Sequence, residues 1–449
     1  MDDLIIKKES NSEVYIDVEG LSRSKLIQSL VFSLQEELDA LPGELSTVSI
    51  FKISGNHKKS QIDLYTPHVV SIGPLHHGKS HIQAMGVYKV QYLQSFIIRH
   101  GISIDKLISY TAQMEIFVRS CYEDTSMFNF IEFTKMILLD GIFVVQLFVR
   151  NLIIQMREPG DMLFENQRMA SDVLHDMLLL ENQLPLNFIL GLFEFVDSSR
   201  VHHKSFHELS CNYFEGVGNI KRLRLVDGYE CSRHLVDFLL ILHRPSNRIK
   251  ERMRTGRLKY TRSASELQEA GVRFGNGMGN LFDVSYEFGL LTLPQLTVND
   301  TTETFFRNLI AYEQCGHYEK HITSYVMFMN SLINTAEDVE LLVYHGSIDN
   351  LLGENQLVAD VFNNLRKEAY DEKSDFYFAW ICEELNDYSQ SYYDGWMYTF
   401  SKWKRRWLEW KLMLINRYFT NPWSAIGFLA AAVVVVLTVV QTVCAIIAL

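Results

Sequence analysis

The sequence predicts a predominantly α-helical (α+β) globular body with a small antiparallel β-sheet, followed by one C-terminal transmembrane helix. Three patterns support this fold class. Apolar residues recur three and four positions apart over most of the chain, one stretch near residue 285 alternates with a period of two, and the last 25 residues carry no charge. The 449 residues are 47% hydrophobic and 21% charged, which is typical of a globular protein with a large core.

The helical pattern is strongest in the first half of the chain. Residues 83–99, 104–121 and 128–149 each place apolar side chains on one face. The pattern continues over 169–195, where Pro185 interrupts it. The window 197–261 is less periodic and richer in His, Arg and Lys, so we interpret it as a boundary or a mobile connection.

The second half contains the predicted sheet. Gly289 separates residues 290–293 from an alternating stretch, and this pattern predicts a hairpin of two strands. The alternating residues are Phe282, Asp283, Val284, Ser285, Tyr286, Glu287 and Phe288. Upstream, Ser263 and Glu266 match a capping box, and Gly271 would end the short helix that follows.

Three glycines just before this stretch suggest no nucleotide site. Gly275, Gly277 and Gly279 do not fit the G-x-G-x-x-G spacing and precede a strand, so we interpret them as a flexible turn. Downstream, 300–303 opens another helix, in which Glu303 and Arg307 form a stabilising pair four residues apart.

The segment from Ala425 to Leu449 is the predicted membrane anchor. As a helix its 25 residues would extend about 37 Å, enough to cross a hydrocarbon core of about 30 Å. Gly427 and Ala431 would allow two such spans to pack together, so a homo-oligomer is a further expectation.

A basic and aromatic segment precedes the predicted anchor and suits a membrane interface. Indole rings favour the headgroup zone, and cationic side chains favour the cytosolic side. We therefore expect a single-pass protein with a cytosolic body, at the plasma membrane. The predicted interface residues are Trp403, Lys404, Arg405, Arg406, Trp407, Trp410 and Trp423.

These patterns divide the chain into four parts. Residues 1–45 form an N-terminal lead and helix, 46–395 the mainly helical globular domain, 396–424 the juxtamembrane segment and 425–449 the transmembrane helix.

Charge and cysteine usage exclude some functional classes. The net charge is −12, and because the residues from Thr399 onward carry +5, the preceding residues carry −17. Such an acidic body argues against nucleic acid as a partner. The six cysteines show no C-x-x-C pair or zinc-ligand spacing, so we expect reduced thiols.

Seven short motifs follow one another along the chain: HVVSIGPLHHGK (68–79), LDGIF (139–143), LLLENQLP (178–185), ASELQEAGV (264–272), LPQLTVNDTTE (293–303), FRNLIAYEQC (306–315) and NPWS (421–424). Together they resemble the plant family called "domain of unknown function 247". The resemblance implies a plant membrane-associated protein with one C-terminal span and no assigned catalytic residues; grass relatives are linked to self-incompatibility. One departure is Gly86, which follows Met85 where relatives carry an acidic residue.

Two groups of residues are candidates for chemistry. His76, His77 and His81 invite a metal site, but adjacent side chains in a turn diverge, so a hydrogen-bonded loop is favoured.

The second group is Asp172, His175, Asp176 and Glu181, which we place on one helical face. Paired carboxylates can perform acid–base work or hold Mg²⁺, but charges on the wet side of a helix are commonplace. We therefore assign no catalytic, cofactor-binding or metal-binding residue and expect no cofactor. Asn299 to Thr301 is formally a glycosylation sequon.

Two functions from different classes follow. The favoured one is a membrane-anchored recognition or signalling protein that binds other proteins and the lipid bilayer, and acts without catalysis. The alternative is an enzyme whose active site is assembled from distant loops around His76, His77, Asp172 and Asp176. The sequence leaves enzymatic activity open.

Overall fold

The computed structural model describes residues 30–31, 48–53, 62–196, 201–219, 225–245, 260–316, 319–369 and 376–394, with five single positions at 407, 434, 437, 438 and 441. Fourteen α-helices and five β-strands have both of their ends within these residues. In chain order the helices are α1 Met85–His100, α2 Ile104–Ser120, α3 Phe130–Leu152, α4 Met162–Glu165, α5 Gln167–Met177, α6 Leu186–Phe193, α7 Phe206–Tyr213, α8 Leu235–Leu242, α9 Ala264–Glu269, α10 Thr302–Cys315, α11 His321–Leu332, α12 Ala336–Tyr344, α13 Asn355–Glu368 and α14 Ala379–Asp394. The strands are β1 Arg273–Gly277, β2 Ser285–Glu287, β3 Leu290–Pro294, β4 Leu296–Val298 and β5 Ile348–Asn350.

Helix α3 is the centre of the first helical layer. Asn129 and Glu132 form a capping box at its start, and most of its residues from Phe133 to Arg150 are buried. Helices α1, α2, α6 and α7 pack around it. Gly141 permits the close approach of α6, because a Cβ atom there would lie 2.4 Å from a methyl carbon of Leu192.

The second layer contains α10 to α13, whose apolar faces pack against one another. Helix α8 packs on α10, and α7 packs on α3, so the window 197–261 contributes two helices to the packed body. The capping box at Ser263 and Glu266 is present, and Gly271 follows α9 with a φ of +91°, as predicted.

The sheet is mixed, and the prediction of an antiparallel sheet was right only for its hairpin. Strand β2 pairs with β3 in antiparallel fashion, but β1 pairs with β3 in parallel, giving the order β1-β3-β2. A second, two-stranded sheet joins β4 and β5 in parallel. The flexible turn predicted at Gly275 and Gly277 is wrong: both lie in β1.

The predicted transmembrane helix is not found, and the fold class is corrected to a mainly helical body with two small sheets. Among the described residues, no helix combines the length and apolar character needed to cross a bilayer. The longest of them, α3, carries Glu132, Lys135, Asp140 and Arg150.

Little of the C-terminal region falls within the described residues. Of the segment from Ala425 to Leu449, only Val434, Leu437, Thr438 and Gln441 are described, and each is helical. Trp407 is the single described member of the predicted interface residues, and it is exposed. The others (Trp403, Lys404, Arg405, Arg406, Trp410 and Trp423) lie outside the described residues, as does the predicted N-terminal helix apart from positions 30 and 31.

Candidate functional site

Asp176, near the end of α5, fixes the loop formed by residues 66–79 (the N-terminal loop). Its buried carboxylate accepts hydrogen bonds from the backbone N–H groups of His68 (2.7 Å), Val69 (2.8 Å) and Val70 (2.8 Å). A backbone N–H group that is buried without a hydrogen-bond partner costs free energy. The Asp176 carboxylate therefore supplies the acceptors that backbone carbonyl groups would supply in a strand or helix.

Two further side chains continue this role along the loop. The Asn182 side chain accepts a hydrogen bond from the Ile72 N–H (2.6 Å) and donates one to the Val70 carbonyl (3.0 Å). Asp140 on α3 accepts a hydrogen bond from the Gly73 N–H (2.9 Å). The motifs at 68–79, 139–143 and 178–185 are therefore one buried hydrogen-bond network.

Where this network approaches solvent, His68, Asp172 and His175 gather around the buried Asp176, and these four residues are here called the His–Asp cluster. The His68 and His175 rings stack with centroids 3.9 Å apart and an interplanar angle of 7°. His175 Nδ1 lies 3.1 Å from Asp176 Oδ1, and His68 Nδ1 lies 3.9 Å from Asp172 Oδ1.

A surface groove runs beside α5, and His68, Asp172 and His175 line one end of it. Two adjoining cavities of about 510 and 520 Å³ share Gln167, Ser171, Asp300 and Thr301 as lining residues. The end near His68 is polar, whereas Leu163, Phe164, Val173 and Leu174 are among the apolar lining residues of the other end. This size falls within the range of ligand pockets, about 300–1,000 Å³.

The three histidines first considered as metal ligands occupy separate environments. His76 is buried, with its Nε2 3.1 Å from Glu181 Oε2. His77 is exposed and meets the Phe128 ring edge-on. His81 Nε2 lies 3.0 Å from the carbonyl oxygen of Pro67. They are parts of a hydrogen-bonded and packed loop.

Glu181 does not share a helical face with Asp172, His175 and Asp176, because α5 ends at Met177. Its buried carboxylate accepts a hydrogen bond from the Ile53 N–H at 2.7 Å. Asp172, in contrast, borders the groove. The residues of the enzyme alternative are thus divided between a buried network and the groove.

The structure assigns Asn299 and Glu303 to the start of α10. The Asn299 Oδ1 atom accepts hydrogen bonds from the N–H (3.1 Å) and hydroxyl (2.9 Å) of Thr301. Glu303 pairs with Arg307, as predicted, and Arg307 also pairs with Glu368 on α13.

Comparison with known proteins places the chain in a family. The model of the DUF247 family, described as a plant protein of unknown function, matches residues 50–437. The chain belongs to this plant family.

Two relatives from Arabidopsis thaliana resemble it over nearly their whole length. The UPF0481 protein At3g47200 is 25% identical over 435 residues, covering 88% of this chain and 86% of the relative. A second UPF0481 protein, At3g02645, is 24% identical over 510 residues, covering 91% of this chain and 92% of the relative. No solved structure matches the chain.

This DUF247 protein has a buried acid that the sequence reasoning missed. Glu313 on α10 accepts hydrogen bonds from the N–H groups of Ile322 (2.8 Å) and Thr323 (2.8 Å) and from the Thr323 hydroxyl (2.7 Å). Burial raises the pKa of Glu313 to about 7. Because its oxygens cap the first turn of α11, its role is to join two helices of this DUF247 protein. In the sequence, the one indication that Glu313 is buried is its position on the apolar face of α10.

The sequence also gave no signal for an apolar surface at the end of the α2–α3 hairpin of this DUF247 protein. A short loop joins the end of α2 to the start of α3, and several large side chains in and beside this loop are exposed to solvent. These residues, called the α2–α3 corner below, are Ile116, Phe117, Met127, Phe130 and Ile131.

Proposed function

We propose that this DUF247 protein is a recognition protein that acts by binding another protein, with the α2–α3 corner as its contact surface. One observation supports the proposal above all others. Ile116 is 78% exposed, Met127 74% and Ile131 76%, and they lie in the last turns of α2, in the connecting loop and in the first turn of α3. Single exposed apolar residues are ordinary, but a group of large ones is characteristic of interaction surfaces.

The corner is held rigid by Arg119. Its guanidinium group donates to the carbonyls of Thr125 (2.8 Å) and Phe128 (3.1 Å) in the connecting loop and lies 4.1 Å from the centre of the Phe133 ring. Glu115 accepts from Arg119 Nε at 2.6 Å. A surface that is already ordered loses little conformational entropy on binding, which favours affinity.

The chemistry of the corner defines the partner. Isoleucine, methionine and phenylalanine side chains offer area and shape but few hydrogen bonds, so an apolar face of a helix is the complementary surface. In such contacts a few central side chains supply most of the binding free energy. Charges placed at Ile116 and Ile131 should therefore abolish the interaction.

Crosslinking and affinity purification from plant extract, with the full chain as bait, test the proposal. We expect a reproducible protein partner whose recovery falls at least about tenfold in an Ile116→Glu/Ile131→Glu variant. Leu351→Glu is the matched control, because Leu351 is 63% exposed but lies beside β5. A partner retained by the double variant, or the absence of any reproducible partner, would overturn the proposal.

A further inference from the structure

We propose that His68, Asp172 and His175 form a binding site for a first-row transition-metal ion, with Zn²⁺ as the best match. The site lies at the polar end of the groove beside α5 and is separate from the α2–α3 corner. The ion would connect the N-terminal loop to α5.

The spacing of the residues supports chelation. Asp172 and His175 are three positions apart on α5, so their side chains project from the same helical face. The N-terminal loop brings His68 to this face from more than 100 residues away. His68 Nδ1 lies 3.9 Å from Asp172 Oδ1, and a ring nitrogen of His68 lies within 4.8 Å of one of His175.

Asp176 orients His175 and is not itself a ligand. Its two oxygens already receive four N–H groups, three from the backbone of residues 68–70 and one from His175 Nδ1. An ionised carboxylate only accepts hydrogen bonds, so this contact favours the His175 tautomer that donates from Nδ1 and presents the Nε2 lone pair to an ion. A carboxylate that holds the second ring nitrogen in this way is a regular feature of metal-binding histidines.

Binding requires one movement. Because the His68 and His175 rings are nearly parallel, lone pairs in the two ring planes do not converge on one point. The His68 side chain is 50% exposed and that of Asp172 is 34% exposed, so both can rotate. The His68 backbone stays fixed by Asp176, which keeps the ring within reach of His175. The site therefore predicts that the stack opens when the ion binds.

The ligand set selects the class of ion. Two imidazole nitrogens and one carboxylate oxygen suit Zn²⁺, Co²⁺ or Ni²⁺, whereas Mg²⁺ prefers oxygen ligands alone. Zn²⁺ with three protein ligands completes a tetrahedron with water, and the groove beside His68 and Asp172 gives access for that water.

Titration calorimetry of the full chain with ZnCl₂, after treatment with a chelator, tests the site. We expect one tight binding event that weakens at least tenfold in each of the variants His68→Gln, His175→Gln and Asp172→Asn. His77→Gln is the matched control, because His77 lies in the N-terminal loop with His68 but outside the His–Asp cluster. The Zn²⁺ affinity of this variant should equal that of the wild type. MgCl₂ should give no comparable event.

A spectroscopic readout separates this site from other histidines and from thiols. Co²⁺ bound at the site should give visible absorption of a low-coordinate nitrogen–oxygen complex without a strong thiolate charge-transfer band, and His175→Gln should remove it. The proposal would be overturned if the wild type and all three cluster variants bound Zn²⁺ with equal affinity. It would also be overturned if His77→Gln lost as much Zn²⁺ affinity as the cluster variants do. Circular dichroism spectra that match the wild type establish that each variant is folded.

Discussion

Lys89 on α1 and Asp140 on α3 form a buried ion pair that connects two helices with the N-terminal loop. The Lys89 ammonium group donates to Asp140 Oδ1 and to the Ser71 carbonyl, while Asp140 Oδ2 accepts from the Gly73 N–H. Both charged groups are almost fully buried. The pair therefore couples the position of the loop to the packing of α1 on α3.

Lys89→Met should strongly destabilise the protein, because it leaves the Asp140 carboxylate buried without a cation. Removing one member of a buried pair costs about 3–5 kcal/mol. Urea denaturation of the full chain would measure this loss as a lower unfolding midpoint. Lys135→Met, at an exposed position on α3, is the control and should change stability by about 0.5 kcal/mol or less. Equal midpoints for the two variants would contradict the role of the pair.

Gly73→Ala should destabilise the chain more than Gly78→Ala, although both glycines lie in the N-terminal loop with φ values of +76° and +82°. A Cβ atom at Gly73 would lie 2.7 Å from the backbone oxygen of Gln183, whereas at Gly78 it would meet nothing within 4 Å. Left-handed backbone alone costs about 1–2 kcal/mol, which is the expectation for Gly78→Ala. The added clash should bring Gly73→Ala to about 3 kcal/mol or more. Thermal or urea unfolding of both variants would decide, and similar losses would refute the close approach.

The sequence predicted the elements whose signal is local. Helices α1, α2 and α3 were located to within a few residues, because each buries an apolar face at helical spacing. The hairpin of β2 and β3 was found from alternation and Gly289. Strand β1 was missed, because its sequence RFGNG lacks strand-forming residues and its parallel pairing with β3 is not local.

The candidate site could be predicted only in part, because its geometry depends on distant contacts. Asp172 and His175 were singled out from their spacing on a helix, but nothing local indicated that the His68 ring stacks on His175. Glu181 was placed on the wrong surface, since periodicity does not show that α5 ends at Met177. The α2–α3 corner was hidden because exposed and buried isoleucines are identical in sequence.

Stability should fall in acid partly because of His234. Its Nε2 lies 3.0 Å from the Ser49 carbonyl oxygen, and its Nδ1 accepts a hydrogen bond from the Asp237 N–H at the start of α8. Burial lowers the pKa of His234 to about 4. In the unfolded chain the same histidine has a pKa of about 6.5, so as the pH falls the unfolded state binds the proton before the folded state does. The contribution of neutral His234 to the free energy of unfolding is therefore fully present above pH 6.5. It is lost as the pH falls toward 4, at up to about 1.4 kcal/mol per pH unit.

His234→Asn separates this effect from other titrations, because asparagine can cap α8 but does not bind a proton near neutral pH. Urea unfolding at pH 7.5 and pH 4.5 should show a smaller loss of stability for the variant than for the wild type. His243, whose pKa burial also lowers to about 4, remains in both proteins and cancels in the comparison. An identical loss in both proteins would contradict the assignment.

Phe288→Asn should stabilise the β2–β3 hairpin. Phe288 and Gly289 form its two-residue turn with φ values of +49° and +75°, and the Phe288 ring is 96% exposed. A type I′ turn requires a left-handed backbone at both central positions. Asparagine tolerates this conformation, whereas phenylalanine is strained in it. We expect Phe288→Asn to raise the free energy of unfolding by about 1 kcal/mol. Phe288→Ala is the control, since it removes the ring but keeps the strain and should leave stability nearly unchanged. A gain in Phe288→Ala equal to that in Phe288→Asn would attribute the effect to the exposed ring rather than to the backbone.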